Sequence, residues 1–188
     1  MAVMRTPDHP ASAWAETPVG EMLIVTTRHG VLRTRFSAPD GSDAPDEDAL
    51  LEELAGYLGE PPEQESPGLT WLVQQVQEWF DGGRLEFEVG IDLGMCNDFQ
   101  RDVYRVIAEI PFGETMSYGE VAAMAGSPRA ARAVGTACRD IPVSLFLPVH
   151  RVIRADGTTG ESPNSPCMRR TLLAHERAVL GYGPSPWK

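Results

Sequence analysis

Apolar positions change period along the chain, and those changes outline its elements. Residues 22–27 and 31–36 are β-rich runs separated by His29-Gly30, the signature of a hairpin closed by a tight turn. The preceding residues 1–15 are polar, contain Pro7 and Pro10, and are expected to fray. Residues 37–48 concentrate Asp, Pro, Gly and Ser and read as a surface loop. The spacing then turns helical over residues 49–58, where Leu51, Leu54 and Leu58 share one face. Pro61, Pro62 and Pro67 interrupt regular structure in residues 59–68. A second helix over residues 69–80 places Leu72, Val76 and Phe80 four apart and stops at Gly82-Gly83. Residues 85–93 alternate apolar and polar side chains and predict an edge strand. Strand, strand, helix, helix, strand is the order of a small α/β layer.

Helical periods dominate the second half. Asn97 is a candidate N-cap for a helix whose apolar face is Phe99, Val103, Val106 and Ile107. Residues 110–113, Ile-Pro-Phe-Gly, end it. Ser117 and Glu120 have capping-box spacing, so another helix starts there and runs to Gly126. Ser127-Pro128 reads as the N-cap and first position of a third helix, residues 129–138, built largely of small side chains. Two helices on a short turn, the second slim and arginine-bearing, form a candidate helix-turn-helix. Its alanines and glycine suit close approach to DNA and equally suit burial against a neighbouring helix. Arg129, Arg139 and Arg154 fit a solvated face or phosphate contacts. The fold class predicted is α+β: a small N-terminal α/β domain, residues 1–92, then a mainly helical domain, residues 93–188.

Charge sharpens that division. The net charge of −11 argues against nucleic-acid binding by a uniform chain. Residues 93–188, however, hold 11 Lys and Arg against 9 Asp and Glu, whereas the first 92 hold 5 against 18. The acid is therefore concentrated in one half, which fits two domains with separate tasks. Cys96, Cys138 and Cys167 are odd in number and widely spaced, so they read as reduced thiols. Without an apolar run long enough to cross a bilayer or a signal-peptide pattern, no membrane partner and a cytoplasmic location are expected.

Five segments then stand out: Ile110-Pro-Phe-Gly-Glu-Thr, Ser117-Tyr-Gly-Glu-Val-Ala, Arg129-Ala-Ala-Arg-Ala-Val-Gly, Pro148-Val-His-Arg-Val-Ile and Leu172-Leu-Ala-His-Glu. In order and spacing they resemble the O6-alkylguanine-DNA alkyltransferases, the methylated-DNA–protein-cysteine methyltransferases, over roughly residues 99–181. The N-terminal half resembles that family only in layout, which implies a ribonuclease-H-like domain there. The resemblance implies a DNA-repair protein whose partner is double-stranded DNA, including O6-alkylguanine lesions. Arg132 matches the arginine that replaces an extruded nucleotide, a task requiring both stacking and hydrogen bonding. Tyr118 matches a tyrosine beside the flipped nucleotide, and Arg139 and Arg151 match basic positions near the phosphates or the site. Arg129 joins this candidate DNA-binding set.

The motif also departs from the family. Where the family has Pro-Cys-His-Arg-Val, this chain has Pro148-Val149-His150-Arg151-Val152. Val149 has no lone pair, so the alkyl acceptor is missing. His150 and Glu176 match the pair that activates the family's cysteine; here they fit a structural pair or acid–base groups. Ile141 stands before Pro142, where the family has an asparagine. The closing loop reads Gly160-Glu161-Ser162-Pro163-Asn164, so Ser162 replaces a tyrosine and Pro163 removes a backbone donor. The implied pocket is Val149, Ile141, Cys138, Ser162 and Pro163. For Cys138 or Cys167 to substitute as nucleophile, it would need a lowered pKa and approach within about 3 Å of the reacting carbon.

With no cysteine before Cys96, the zinc site of some family members cannot be built, and no metal or cofactor is expected. The nearest category is the alkyltransferase-like proteins, which usually have tryptophan in place of the cysteine. They bind and flip O6-alkylguanine without repairing it and mark it for nucleotide excision repair. A non-enzymatic, monomeric protein of that kind is the leading expectation. The alternatives are a scaffold recruited as an enzyme on a small molecule, with His150 and Glu176 as acid and base, and a protein-interaction module.

Overall fold

The computed structural model describes residues 6–37, 46–159 and 168–183. The chain divides into two compact units, Met1–Met95 and Cys96–Lys188. The first is built on an antiparallel sheet in the order β1 (Ala11–Thr17), β2 (Gly20–Thr27), β3 (Gly30–Phe36). Helix α1 (Glu47–Leu58) packs Leu50 and Leu54 onto Leu23, Val25 and Leu32, with Trp14, Leu51 and Leu58 half-buried around them. Asp46 caps α1 by accepting from the Ala49 amide at 3.0 Å, and Gly59 ends it in the left-handed region. Helix α2 (Thr70–Phe80) packs on β1 and buries Leu72, Val76 and Trp79. Trp79 was absent from the spacing read in the sequence because it lies beside the four-apart row, not on it.

Two expectations for this unit need correction. Residues 11–17 are a strand, not a frayed tail. Ala11, Ala13 and Ala15 are buried in register with β2, and Ser12 and Trp14 donate to Glu47 at 2.5 and 2.9 Å. Small residues carry little hydrophobic signal, so pairing and a carboxylate anchor supply what composition did not show. Residues 85–93, in turn, are not a strand. Only Ile91 bridges Val31, while the Glu88 amide is taken by the Gln75 side chain at 2.8 Å and Phe87 stacks on Trp79. A ladder needs those amides, and a side chain of α2 has claimed one.

The second unit is helical. Helix α3 (Asp98–Ala108) begins with a reciprocal capping box between Asn97 and Gln100 and buries Val103, Tyr104, Val106 and Ile107. The expected box at Ser117 and Glu120 also forms, opening α4 (Tyr118–Met124). Helix α5 (Ala131–Arg139) starts later than expected. The Ser127 carbonyl accepts from the Ala130 amide at 2.9 Å, so residues 127–130 make a turn and α5 has no side-chain cap. Strands β4 (Met116–Ser117) and β5 (Val152–Ile153) pair in parallel, and α6 (Met168–Val179) completes the unit. Among the described residues, no helix is long and apolar enough to cross a membrane.

Candidate functional site

Within the motif segment, Val149–Arg151 is a turn of 3-10 helix and Val152–Ile153 is extended. The turn follows Leu145, held at φ 74°, a left-handed conformation that costs a leucine on the order of 1 kcal/mol. It directs His150 and Arg151 inward onto α6. Glu176 is fully buried there, with His150 2% and Arg151 7% exposed. Glu176 Oε1 receives His150 Nε2 at 2.7 Å and Arg151 Nη2 and Nε at 2.8 and 3.0 Å. Oε2 accepts from the Gly113 amide at 2.8 Å and from Arg151 Nε at 3.2 Å. Arg151 Nη1 donates to the Ile110 carbonyl at 2.6 Å, and the guanidinium lies 5.5 Å from the centre of the Phe112 ring.

The Ile-Pro-Phe-Gly segment thus supplies three partners to one buried ion cluster. Glycine is required at position 113: φ is +80°, and a Cβ would fall 2.2 Å from Leu180 Cδ1.

Electrostatics give each group a definite state. Burial pushes Glu176 upward, but the hydrogen bonds and charges of His150 and Arg151 outweigh it and hold the carboxyl at about 2. Burial dominates at His150 and lowers it, against the pull of Glu176. The Arg151–Glu176 ion pair is therefore accompanied by a neutral imidazole whose Nε2–H donates to the carboxylate. Both shifts make acid destabilising. Below about pH 6.5 the unfolded chain gains a proton that folded His150 resists, and below about 4.5 a second that Glu176 resists. The expected result is a fall in unfolding midpoint from pH 7 to 5, steepening below 4.5. In thermal unfolding across this range, His150→Gln should flatten the upper part of the fall; an unchanged profile would refute the assignment.

Arg151 needs correction as a DNA-contacting residue. It is buried, and its guanidinium is committed to Glu176 and Ile110, so it has no reach to a phosphate. The other candidates stand apart from that cluster. Arg129 and Arg132 are exposed, as is Arg139, which pairs with Asp140 at 2.9 Å. Helix α5 buries Val134, Ala137 and Cys138 and exposes Arg132, Ala133, Thr136 and Arg139 on the opposite side. It is anchored from beneath, for instance by Tyr104 donating to the Ala137 carbonyl at 2.9 Å. A neighbouring helix covers one face; the arginine face is open.

Val149 is 7% exposed, Ile141 is half-buried, and neither side chain offers a donor or lone pair. Cys138 is 2% exposed, and burial pushes its thiol up to about 12 despite the nearby charge of Arg169. A thiol in that state is not a nucleophile at neutral pH. Ser162, Pro163 and Cys167 lie outside the described residues. Sequence reasoning missed Arg169. Its Nη1 donates to the Tyr118 hydroxyl at 2.9 Å and to the Val152 carbonyl at 3.4 Å, and Nη2 reaches the Cys138 carbonyl at 3.5 Å. An arginine near the start of a charged helix carries no pattern that would have revealed it.

A helix-turn-helix with an open arginine face, backed by a buried His–Arg–Glu cluster, defines the class: an α+β protein of the alkyltransferase fold. Comparisons agree. Residues 98–178 match the family described as 6-O-methylguanine DNA methyltransferase, DNA binding domain. The methylated-DNA–protein-cysteine methyltransferase of Mycolicibacterium paratuberculosis is 44% identical over 162 residues, covering 86% of this chain and 89% of that protein. The crystal structure of Mycobacterium tuberculosis O6-methylguanine methyltransferase superposes with a TM-score of 0.75 at 28% identity, over 90% of this chain and 94% of that one. The same organism's protein in complex with DNA gives 0.73 at 29% identity, with the same coverage. The chain belongs to the methylated-DNA–protein-cysteine methyltransferase family.

Proposed function

We propose that this chain is an alkyltransferase-like protein that binds double-stranded DNA, with or without an O6-alkylguanine, and transfers no alkyl group. One observation carries the reading: Val149, a hydrocarbon side chain, stands immediately before His150 where the family motif has its cysteine. The described alternative thiol, Cys138, is buried and protonated. Binding is supported by the relative crystallised with DNA and by the open face of α5, where Arg132 would replace an extruded nucleotide. Tyr118, Arg129 and Arg139 would contact the backbone around it. A protein that holds a lesion without removing it serves as a marker, and nucleotide excision repair is the process that would use one. The cluster favours a structural role for His150 and Glu176 over acid–base work on a small molecule, because both carboxylate oxygens are engaged and Arg151 keeps them ionised.

Gel shifts with plain and O6-methylguanine duplexes at low salt, followed by intact-mass measurement, test this reading. Binding without added mass is expected, and Arg132→Ala should weaken lesion binding about tenfold or more, the scale of an unsupported base flip. A methyl group retained on the wild-type polypeptide, or no binding to either duplex, would overturn the proposal.

A further inference from the structure

Helix α5 turns Arg132, Thr136 and Arg139 outward, four and three residues apart, which sets them in one row. A Cβ placed on Gly135, beside that row, would meet nothing within 4 Å outside its own stretch of helix, so no described element covers the row there. Between the two arginines, Thr136 is the one exposed side chain able to hydrogen-bond. Its Oγ1 donates to the Arg132 carbonyl, one turn back, at 3.3 Å. A hydroxyl has one hydrogen and two lone pairs, and here the hydrogen is spent inside the helix. What Thr136 shows to a ligand on this face is therefore an acceptor, on a β-branched side chain held by that bond.

We infer that Thr136 is a specificity-determining residue for DNA: it accepts from the exocyclic amino group of a guanine near the extruded nucleotide, so that binding favours G·C over A·T beside the lesion. The inference rests on the DNA-binding reading above. An arginine that fills the place of an extruded nucleotide works from the minor groove, the side from which proteins wedge side chains between base steps. On the floor of that groove A·T pairs in either orientation show only acceptors, adenine N3 and thymine O2, whereas G·C adds one donor, the guanine N2 amino group. A hydroxyl whose hydrogen is already used gains a bond from that amino group and meets only lone pairs on an A·T pair. Thr136 sits one helical turn from Arg132, about 5.4 Å, the scale of one or two base-pair steps.

The test measures Kd of the full chain for O6-methylguanine duplexes whose pairs flanking the lesion are all G·C, all inosine·C or all A·T. Inosine keeps the major-groove edge of guanine and lacks only the N2 amino group. Flanking pairs also differ in how easily they open, so each ratio is read against Thr136→Val, which keeps the shape and replaces the hydroxyl by a methyl. Relative to that variant, wild type is expected to prefer G·C about fivefold over both inosine·C and A·T, the equivalent of one neutral hydrogen bond. Thr136→Ser, which keeps the hydroxyl, should retain most of the preference. The salt dependence should be parallel in all three proteins, since no phosphate contact has been removed.

The same preference in wild type and Thr136→Val would overturn the inference while leaving DNA binding intact. So would inosine·C bound as tightly as G·C, because the amino group would then not be what is read. If wild type binds none of the duplexes, the reading beneath it falls and the inference with it. Should Thr136→Val fold poorly, Thr136→Ala, which suits a helix better, takes its place as the baseline.

Discussion

Glu176→Ala is expected to lower the unfolding free energy of this protein by about 3–5 kcal/mol, the cost of leaving a buried charge without its partner. The substitution deprives Arg151 of its counter-ion, His150 of its acceptor and the Gly113 amide of its bond at once. Neither His150 nor Arg151 can turn to water, because both are nearly inaccessible. Glu176→Gln should cost less, since an amide oxygen still accepts from Gly113 or His150. Urea unfolding at pH 7, followed by far-ultraviolet circular dichroism, measures the difference. A loss below about 1 kcal/mol would mean the cluster is a surface-like pair despite its burial.

The second large effect is a gain. On the proposed reading, Val149→Cys should give a chain that takes up a single methyl from an O6-methylguanine duplex. A neutral His150 follows immediately in the chain, and a neutral imidazole can receive a thiol proton. The gain should grow when Ile141→Asn is added, because position 141 then regains a side chain able to bond the backbone. Intact-mass spectra after incubation report it directly. Uptake by wild type would refute the reading of Val149, whereas failure of both variants would mean that positions 149 and 141 are not what blocks transfer. Together with the pH dependence and Arg132→Ala, these results would separate what holds the fold from what grips DNA.

Much of this molecule could be read from local pattern. The hairpin at His29-Gly30, the helix of Leu54, the Asn97 cap and the Ser117–Glu120 capping box all arise from side chains within a few residues of one another. Errors occurred where a distant group intervened. Residues 11–17 pair because β2 and Glu47 receive them, and residues 85–93 lose an amide to Gln75. Helix α5 begins at Ala131 because a turn through Ser127 pre-empts the expected cap.

The functional residues divide in the same way. Arg132 and Val149 were singled out by motif position, and Glu176 by its match to a relay position. Arg151 was misassigned because a basic residue in a nucleic-acid-binding family suggests phosphate, and only burial shows that its partner is a carboxylate 25 positions away. Arg169 was invisible for the complementary reason: its partners are a phenol and two carbonyls from other elements.

By itself the amino-acid sequence determined the class of the chain, the capped helix starts at Asn97 and Ser117, and the valine at the position of the family's cysteine, since these depend on residue identity and short spacing. Tertiary structure decided which charges face inward, which thiol is inert and which arginine holds Tyr118. The physical reason is burial: removal from water sets the protonation of Glu176, His150 and Cys138, and residues far apart in the chain supply the groups that exclude it.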